Sequence, residues 1–600
     1  MQRSDLSSYE RNLTGEGGSV AGLLVWRILG SSTDLTLTAS VLSSEKMIER
    51  RAAWSLLVLC AGLLLLVAGG LIYLFTSNIL ACLLSQTLLL SPQAAHYEMW
   101  RVSPVPVTLS IYFFNWTNPH ELKQPGAKPK LVEMGPYAFR EYHEKVDIVW
   151  DDDNNTVSYR QVRWWQFDPD QSRGSLDDLV TTVNVVPACG LFFGGFLWLN
   201  GKTYQKNGLH QQLRIWRDPQ VWSYYSGGLG VEPPTRKTAA YISRDWGIFM
   251  QAPMSMTFSA TGQKAHVIHK VRELLFEGYD DALLKMGSKF QFISDMKIPY
   301  DKFGWFYMRN GTASWDGHYN MATGAGDIYQ IGQLKKWNYS NRTRFYSGDC
   351  GRIHGSAGEL WPPLRARDDK IDMSIALDYC DDVEVSGARG YRYKASASIL
   401  DNGTLDASTA CFCGGRCSPV GVLNVSSCRF GSPAFVSYPH FYLGDQYYLQ
   451  QVEGLSPDKD RHEFYVTLEP TSGIPLDVAA RVQVNILLED RPNVGLYEGI
   501  PTLYMPVIWF EARGTVTPDQ VSSLAPLAAL PTFVLACTLT LLTLGALLVA
   551  GVAVYCWLHP ETSAHFLERR CQKRSATKLD HSLSPLVKDN KSESIILKVK

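Results

Sequence analysis

The sequence predicts a membrane-anchored α+β protein in which two terminal hydrophobic helices bracket one large folded domain. Three observations lead there. Residues 54–75 and 531–557 are apolar runs without a charge, the stretch between them is rich in strand-like segments and turn signals, and its cysteines cluster.

The first run, WSLLVLCAGLLLLVAGGLIYLF, has 22 residues. At the helical rise it reaches roughly 33 Å, enough for a bilayer core of about 30 Å. The second, PTFVLACTLTLLTLGALLVAGVAVYCW, is longer, and its proline stands at the start, where a helix tolerates it. Neither run has the polar face that a soluble helix of this length carries. The expected organisation is a tail at 1–52, a span at 53–76, a large domain at 77–528, a span at 529–557 and a tail at 558–600.

Basic residues flank one side of each span. Lys46, Arg50 and Arg51 precede the first, Arg569, Arg570, Lys573, Arg574 and Lys578 follow the second, and the inner flanks 76–98 and 514–530 hold no lysine or arginine. The positive-inside rule then places both termini in the cytoplasm. Sequons at Asn115, Asn154, Asn310, Asn338, Asn341, Asn402 and Asn424 lie between the spans, against Asn12 and Asn590 in the tails. Cys350, Cys380, Cys411, Cys413, Cys417 and Cys428 form an even set in the same loop, as suits an oxidising compartment, with many pairings open.

A composition of 46% hydrophobic and 19% charged residues supports a sizeable core. The net charge of -1, without a long basic run, excludes a nucleic-acid partner. No solenoid-length repeat occurs.

In chain order, the N-terminal tail is polar apart from GLLVWRILG at 22–30, which contains Arg27 and reads as a loop or interfacial patch. After the first span the chain stays uncharged to Tyr97, either as a helix against the base of the domain or as a longer tilted span. Strand-like segments follow at 107–116, 136–150, 155–168, 462–470 and 480–488. In the last, ARVQVNILL, Val482, Val484 and Ile486 share one side while Gln483, Asn485 and Leu487 take the other, a strand with two filled faces.

Six blocks in order carry a resemblance: FFNWTNPHEL at 113–122, EMGPYAFRE at 133–141, VRELLFEGYDDALL at 271–284, GSPAFVSYPHF at 431–441, LEPTSGIPLDVAARVQVNILL at 468–488 and MPVIWFEARG at 505–514. With the two spans and the cysteine cluster they resemble the class B scavenger receptor family from about residue 50 to 557. The resemblance implies a large antiparallel β-barrel-like ectodomain topped by an apical helical bundle at about 185–290, with an apolar tunnel running toward the membrane. It pairs Cys350 with Cys411, Cys380 with Cys428 and Cys413 with Cys417. Palmitoylation of Cys556 at the membrane edge and Cys571 in the basic tail would also suit the family.

The interval between Pro187 and Val271 is longer than the family pattern, which indicates an enlarged apex. Within it LFFGGFLWL at 191–199 reads as a buried helix or as an exposed lipid-collecting patch, with Leu191, Phe192, Phe193, Phe196 and Trp198 as candidate ligand contacts. The family links an apical lysine to fatty-acid head groups, which points to Lys264, with Lys270 second. His266 and His269 would share a helix face, but no third ligand accompanies them, so neither metal nor cofactor is expected. No G-x-S-x-G or HExxH motif occurs, and the acidic pairs Asp280–Asp281 and Asp381–Asp382 lack a partner acid, so the chain is not expected to be an enzyme.

Two functions are compatible with these features. One is a receptor and conduit that binds fatty acids, sterols, carotenoids or lipoprotein particles and passes apolar ligands through the tunnel to the bilayer. The alternative is an endocytic or lysosomal trafficking receptor holding a protein or microbial particle at its apex. The expected location is the plasma membrane, or alternatively the lysosomal or endosomal membrane.

Overall fold

The computed structural model describes residues 32–189, 248–289, 301–367, 371–372, 376–413, 417–426 and 432–560. The apolar segments at 22–30 and 191–199, most of the expected enlarged apex, Cys428 and Cys571 lie outside these residues. The chain divides into two compact units, one made of Met1–Phe75 and Leu535–Lys600, the other of Thr76–Val534.

Two helices, Arg50–Leu74 and Pro518–Leu558, are long and apolar enough to cross a membrane. The second begins at Pro518, so Pro531 lies inside the helix rather than at its start. Within the first unit glycines bring the two helices together. A Cβ on Gly62 would stand 3.0 Å from Val549 Cγ2, and one on Gly545 would stand 2.8 Å from the Gly62 carbonyl oxygen. Lipid supplies no hydrophobic drive between spans, so contact this close depends on residues without side chains.

The chain leaves the first span at Phe75 and starts a separate helix, Thr76–Leu88. Leu84 and Leu88 are buried with Ile328 and Ile331, and Leu527 and Leu530 pack against them. Of the two readings of this stretch, the helix packed on the folded domain is the one observed.

The second unit is built on strands β1 Val107–Trp116, β2 Leu131–Asp151, β3 Thr156–Phe167, β4 Leu179–Val183, β5 His266–Lys270, β6 His318–Ala322, β7 Leu334–Trp337 and β8 Ile371–Asp372. It continues with β9 Ala376–Val385, β10 Ala388–Ala395, β11 Leu423–Asn424, β12 Ala434–Ser437, β13 Tyr465–Leu468, β14 Pro475–Leu488 and β15 Leu503–Thr515. Among the described residues thirteen strands share one sheet, ordered β7-β6-β3-β2-β1-β15-β14-β13-β10-β9-β8, with β12 joined to β14 and β11 to β12. All the pairings are antiparallel, and β4 and β5 form a separate ladder. The five alternating segments read from the sequence fall in β1, β2, β3, β13 and β14.

His266 and His269 lie on β5, not on a helix. At the two-residue period of a strand, a separation of three turns them to opposite faces, which dissolves the shared face.

Two main cores form. The larger joins β1, β2 and β15 to the helix Ile248–Ala260 and to Val271–Leu284 through Ile111, Phe113, Met254, Phe258, Leu274 and Ile508. The second gathers Trp361, Leu377, Tyr393, Phe464, Val466 and Leu468. Each such side chain contributes about 1.5–3 kcal/mol by leaving water. Disulfides join Cys350 to Cys411 and Cys413 to Cys417. Cys380 bonds to none of the described cysteines, and its thiol donates to Asp381.

Candidate functional site

Polarity and burial are inverted along β14. Asp477, Arg481, Gln483 and Asn485 alternate on one side and are buried, whereas Val478, Ala480, Val482 and Val484 on the other are only half-buried. A simple amphipathic strand would do the opposite. Both faces are therefore covered in an unusual way.

The polar face lies beneath a strap, residues 437–463, that is bonded to it at many points. Gln483 accepts from the His440 backbone N–H at 2.7 Å, Asn485 donates to Ser437 Oγ at 3.0 Å, and Arg481 donates to the Glu463 carbonyl at 2.8 Å while holding Glu511. These partners make burial of the three side chains tolerable, and Asp477, the fourth, accepts from Tyr465 Oη at 2.9 Å and Thr515 Oγ1 at 2.7 Å.

At the centre of the strap a cluster ties it to β2 and β15. Glu133 Oε2 accepts from His440 Nε2 at 2.6 Å and from Trp509 Nε1 at 3.0 Å, while Oε1 accepts from Arg461 at 2.7 Å. His440 and His462 stack at 4.5 Å, and Trp509 in turn stacks on Tyr112 at 3.8 Å. Burial works against the charge on Glu133, but the hydrogen bonds from His440 and Arg461 outweigh it and hold its carboxyl at about 2. Burial, with the neighbouring Arg461 guanidinium, pushes His462 down to about 3.

Glu133, His440 and His462 are close enough to suggest a metal centre. Their hydrogen bonds do not fit one. His440 Nδ1 accepts from the Ser456 N–H and His462 Nδ1 accepts from the Asp458 N–H, which leaves the proton of each neutral ring on Nε2, the atom that would have to offer a lone pair. The cluster is a fastening for the strap.

The apolar face of β14 lies between the two cores. Val478 and Ala480 pack against the second core, Val484, Phe510 and Ala512 against the first, and Val482 stands opposite Phe510 in register. Phe306 extends the wall, 6.5 Å from Phe510 and 5.4 Å from both Trp165 and Phe276. All of these side chains are half-buried, although Val482, Phe510 and Ala512 share a sheet face with Ile111 and Leu109, which are closed off almost completely. On the same face Glu141, opposite Trp165 in register, is bonded to His143 and Arg163, and Arg163 pairs with Asp316 at 2.7 Å. The arrangement offers an apolar ligand burial at about 25 cal/mol per Å². It holds no paired nucleophile and base.

Of the residues expected from the sequence, Lys264 is exposed on the turn between the helix Ile248–Ala260 and β5, and Lys270 bonds Asp177. Leu191, Phe192, Phe193, Phe196 and Trp198 lie outside the described residues. Cys556 is half-buried in its span. Asp281 caps the helix Ala282–Lys289, and Asp382 holds Arg367 and Arg389, so both acidic pairs have structural work. Asn154, Asn310 and Asn341 are exposed and Asn115 and Asn338 half-buried, whereas Asn402 and Asn424 are buried, the former donating to the Ser418 carbonyl. The wall residues and the strap cluster were not singled out by the sequence reading; the alternation of β14 was the available signal.

Two membrane-length helices and a domain whose sheet presents a half-buried apolar face define a membrane-anchored class of protein. The model of the CD36 family matches residues 60–556, and the chain belongs to that family. It is 34% identical to Protein peste of Drosophila melanogaster, covering 83% of this chain and 81% of that protein. Scavenger receptor class B member 1 of Rattus norvegicus is 29% identical over 85% of this chain and 90% of its own length. Lysosome membrane protein 2 of Homo sapiens is 30% identical over 71% and 79%.

Proposed function

We propose that this protein is a non-enzymatic membrane receptor that binds lipids or lipoprotein particles and passes apolar ligands along the interior wall to the bilayer. The observation that carries the reading is the half-buried apolar face of β14 and β15, lying between two closed cores. A fatty acid, sterol or carotenoid gains the burial that the wall lacks, and movement down a concentration gradient needs no covalent step. Similarity to a scavenger receptor supports the receptor role. Similarity to a lysosome membrane protein supports the alternative destination, a lysosomal or endosomal membrane reached by trafficking. In this reading both termini are cytoplasmic, and residues 185–290 form the apical region that meets particles.

Bulk on the wall tests the proposal. Val482→Trp and Ala512→Trp are expected to abolish uptake of labelled fatty acid or sterol in expressing cells while leaving surface level and particle binding unchanged. Undiminished uptake in both variants would remove the conduit and leave the trafficking receptor.

A further inference from the structure

The helices Arg50–Leu74 and Pro518–Leu558 part toward one end. At Gly62 they touch, since a Cβ there would stand 3.0 Å from Val549 Cγ2 and 3.1 Å from Leu548 Cβ. Toward Arg50 the contact is lost: a Cβ on Gly551 would meet nothing within 4 Å. There the helices border a groove of about 380 Å³, with Val58, Leu548 and Val552 beside Gly551 along its length. Arg51, Trp54 and Tyr555 stand at the end nearer the helix termini. Sites for small ligands span roughly 300–1,000 Å³, so the groove has the size of one.

The lining changes its chemistry along the helix axis. Val58, Leu548 and Val552 offer only hydrocarbon, whereas Trp54 and Tyr555 carry the amphipathic rings that favour a membrane–water boundary. The Ser55 hydroxyl is engaged by the Arg51 carbonyl, to which it donates at 2.9 Å. Among the described residues Arg51 is the one charged side chain of the groove, and no carboxylate pairs with it. In the sequence before the span Lys46, Arg50 and Arg51 outnumber Glu49.

A molecule that matches this surface has an anion at one end and a flexible apolar chain behind it. Phosphate oxygens accept paired hydrogen bonds from a guanidinium, and basic residues beside a span draw anionic lipid. A zwitterionic phospholipid would bring its own cation against the basic excess; an anionic one would not. We propose that the groove binds one anionic phospholipid of the surrounding bilayer, with its phosphate on Arg51 and one acyl chain lying between the helices over Gly551. The site belongs to the first unit, whereas the wall of β14 and β15 belongs to the second, so lipid here neither requires nor excludes the conduit.

The full-length protein is placed in phosphatidylcholine nanodiscs that carry a trace of phosphatidylserine or phosphatidylcholine with a photo-reactive acyl chain, and adducts are mapped by mass spectrometry. Leu64 and Leu71, exposed on the first helix, report contact with bulk lipid. Relative to these two, the phosphatidylserine probe is expected to label Val58, Leu548 and Val552 severalfold more than the phosphatidylcholine probe does. Arg51→Gln should erase that excess and Arg51→Lys keep part of it. Gly551→Leu, which fills the groove, should remove the excess and leave Leu64 and Leu71 labelled as before. Should Arg51→Gln fail to insert, Gly551→Leu decides. Equal labelling by the two probes, an excess that survives Arg51→Gln or Gly551→Leu, or cross-links from Val58 and Val552 to a second copy of the chain would overturn the proposal.

Discussion

His462 carries the clearest pH dependence in the second unit. Its ring is buried, and His440, Arg461, Glu133, Asp458 and Trp509 face it from the strap, β2 and β15. An unfolded histidine takes up a proton near pH 6.5, whereas the folded one resists until about 3, so stability is lost as pH falls through that window. Allowing for water near the cluster, the loss between pH 7 and pH 5 is about 1–2 kcal/mol. Glu133, held at about 2, adds a further loss only below its unfolded value near 4.5. His462→Phe is expected to flatten the stability profile between pH 6.5 and pH 5, even though the Asp458 N–H loses its acceptor and the whole curve drops. Denaturant melts across that range check this, and an unchanged slope would rule His462 out. None of this was visible in the sequence. Glu133 and His440 each stand in a recognisable block, but the contact between them joins residues some three hundred positions apart, and no local pattern encodes that.

At the scale of elements, hydrophobic period found the strands but not which side of β14 was open. Alternation separates two faces, and only the neighbours decide which is sealed: the strap seals the polar one. The same limit explains the two histidines of β5, whose spacing suits a helix as readily as a strand until Val180 and Val183 pair with them. The spans were plain in composition, yet their contact rests on Gly62, Gly545 and Gly69, whose Cβ would stand 2.9 Å from Leu542, and composition does not rank these. Gly545→Leu is expected to part the helices, since a Cβ there already meets the Gly62 carbonyl and Leu66. A Gly69→Cys and Leu542→Cys pair, in a chain with Cys60, Cys537 and Cys556 replaced by alanine, should cross-link readily and lose most of that yield on adding Gly545→Leu. Retained cross-linking would show that the glycine contact does not hold the spans.

For the molecule as a whole, two terminal anchors and a large antiparallel domain were legible from charge, length and period, and membership of the family followed from six ordered blocks. The site was less legible, because the wall is made of common valine, alanine and phenylalanine whose meaning lies in being left half-open. The central claim is that this wall carries lipid. It is tested most directly by feeding cells a photo-reactive fatty acid and a photo-reactive sterol, irradiating them, and mapping adducts on the full-length protein by mass spectrometry. The account predicts adducts on Val482, Val484, Phe510, Ala512 and Phe306. Labelling confined to the two membrane-length helices, with none on β14 or β15, would contradict it.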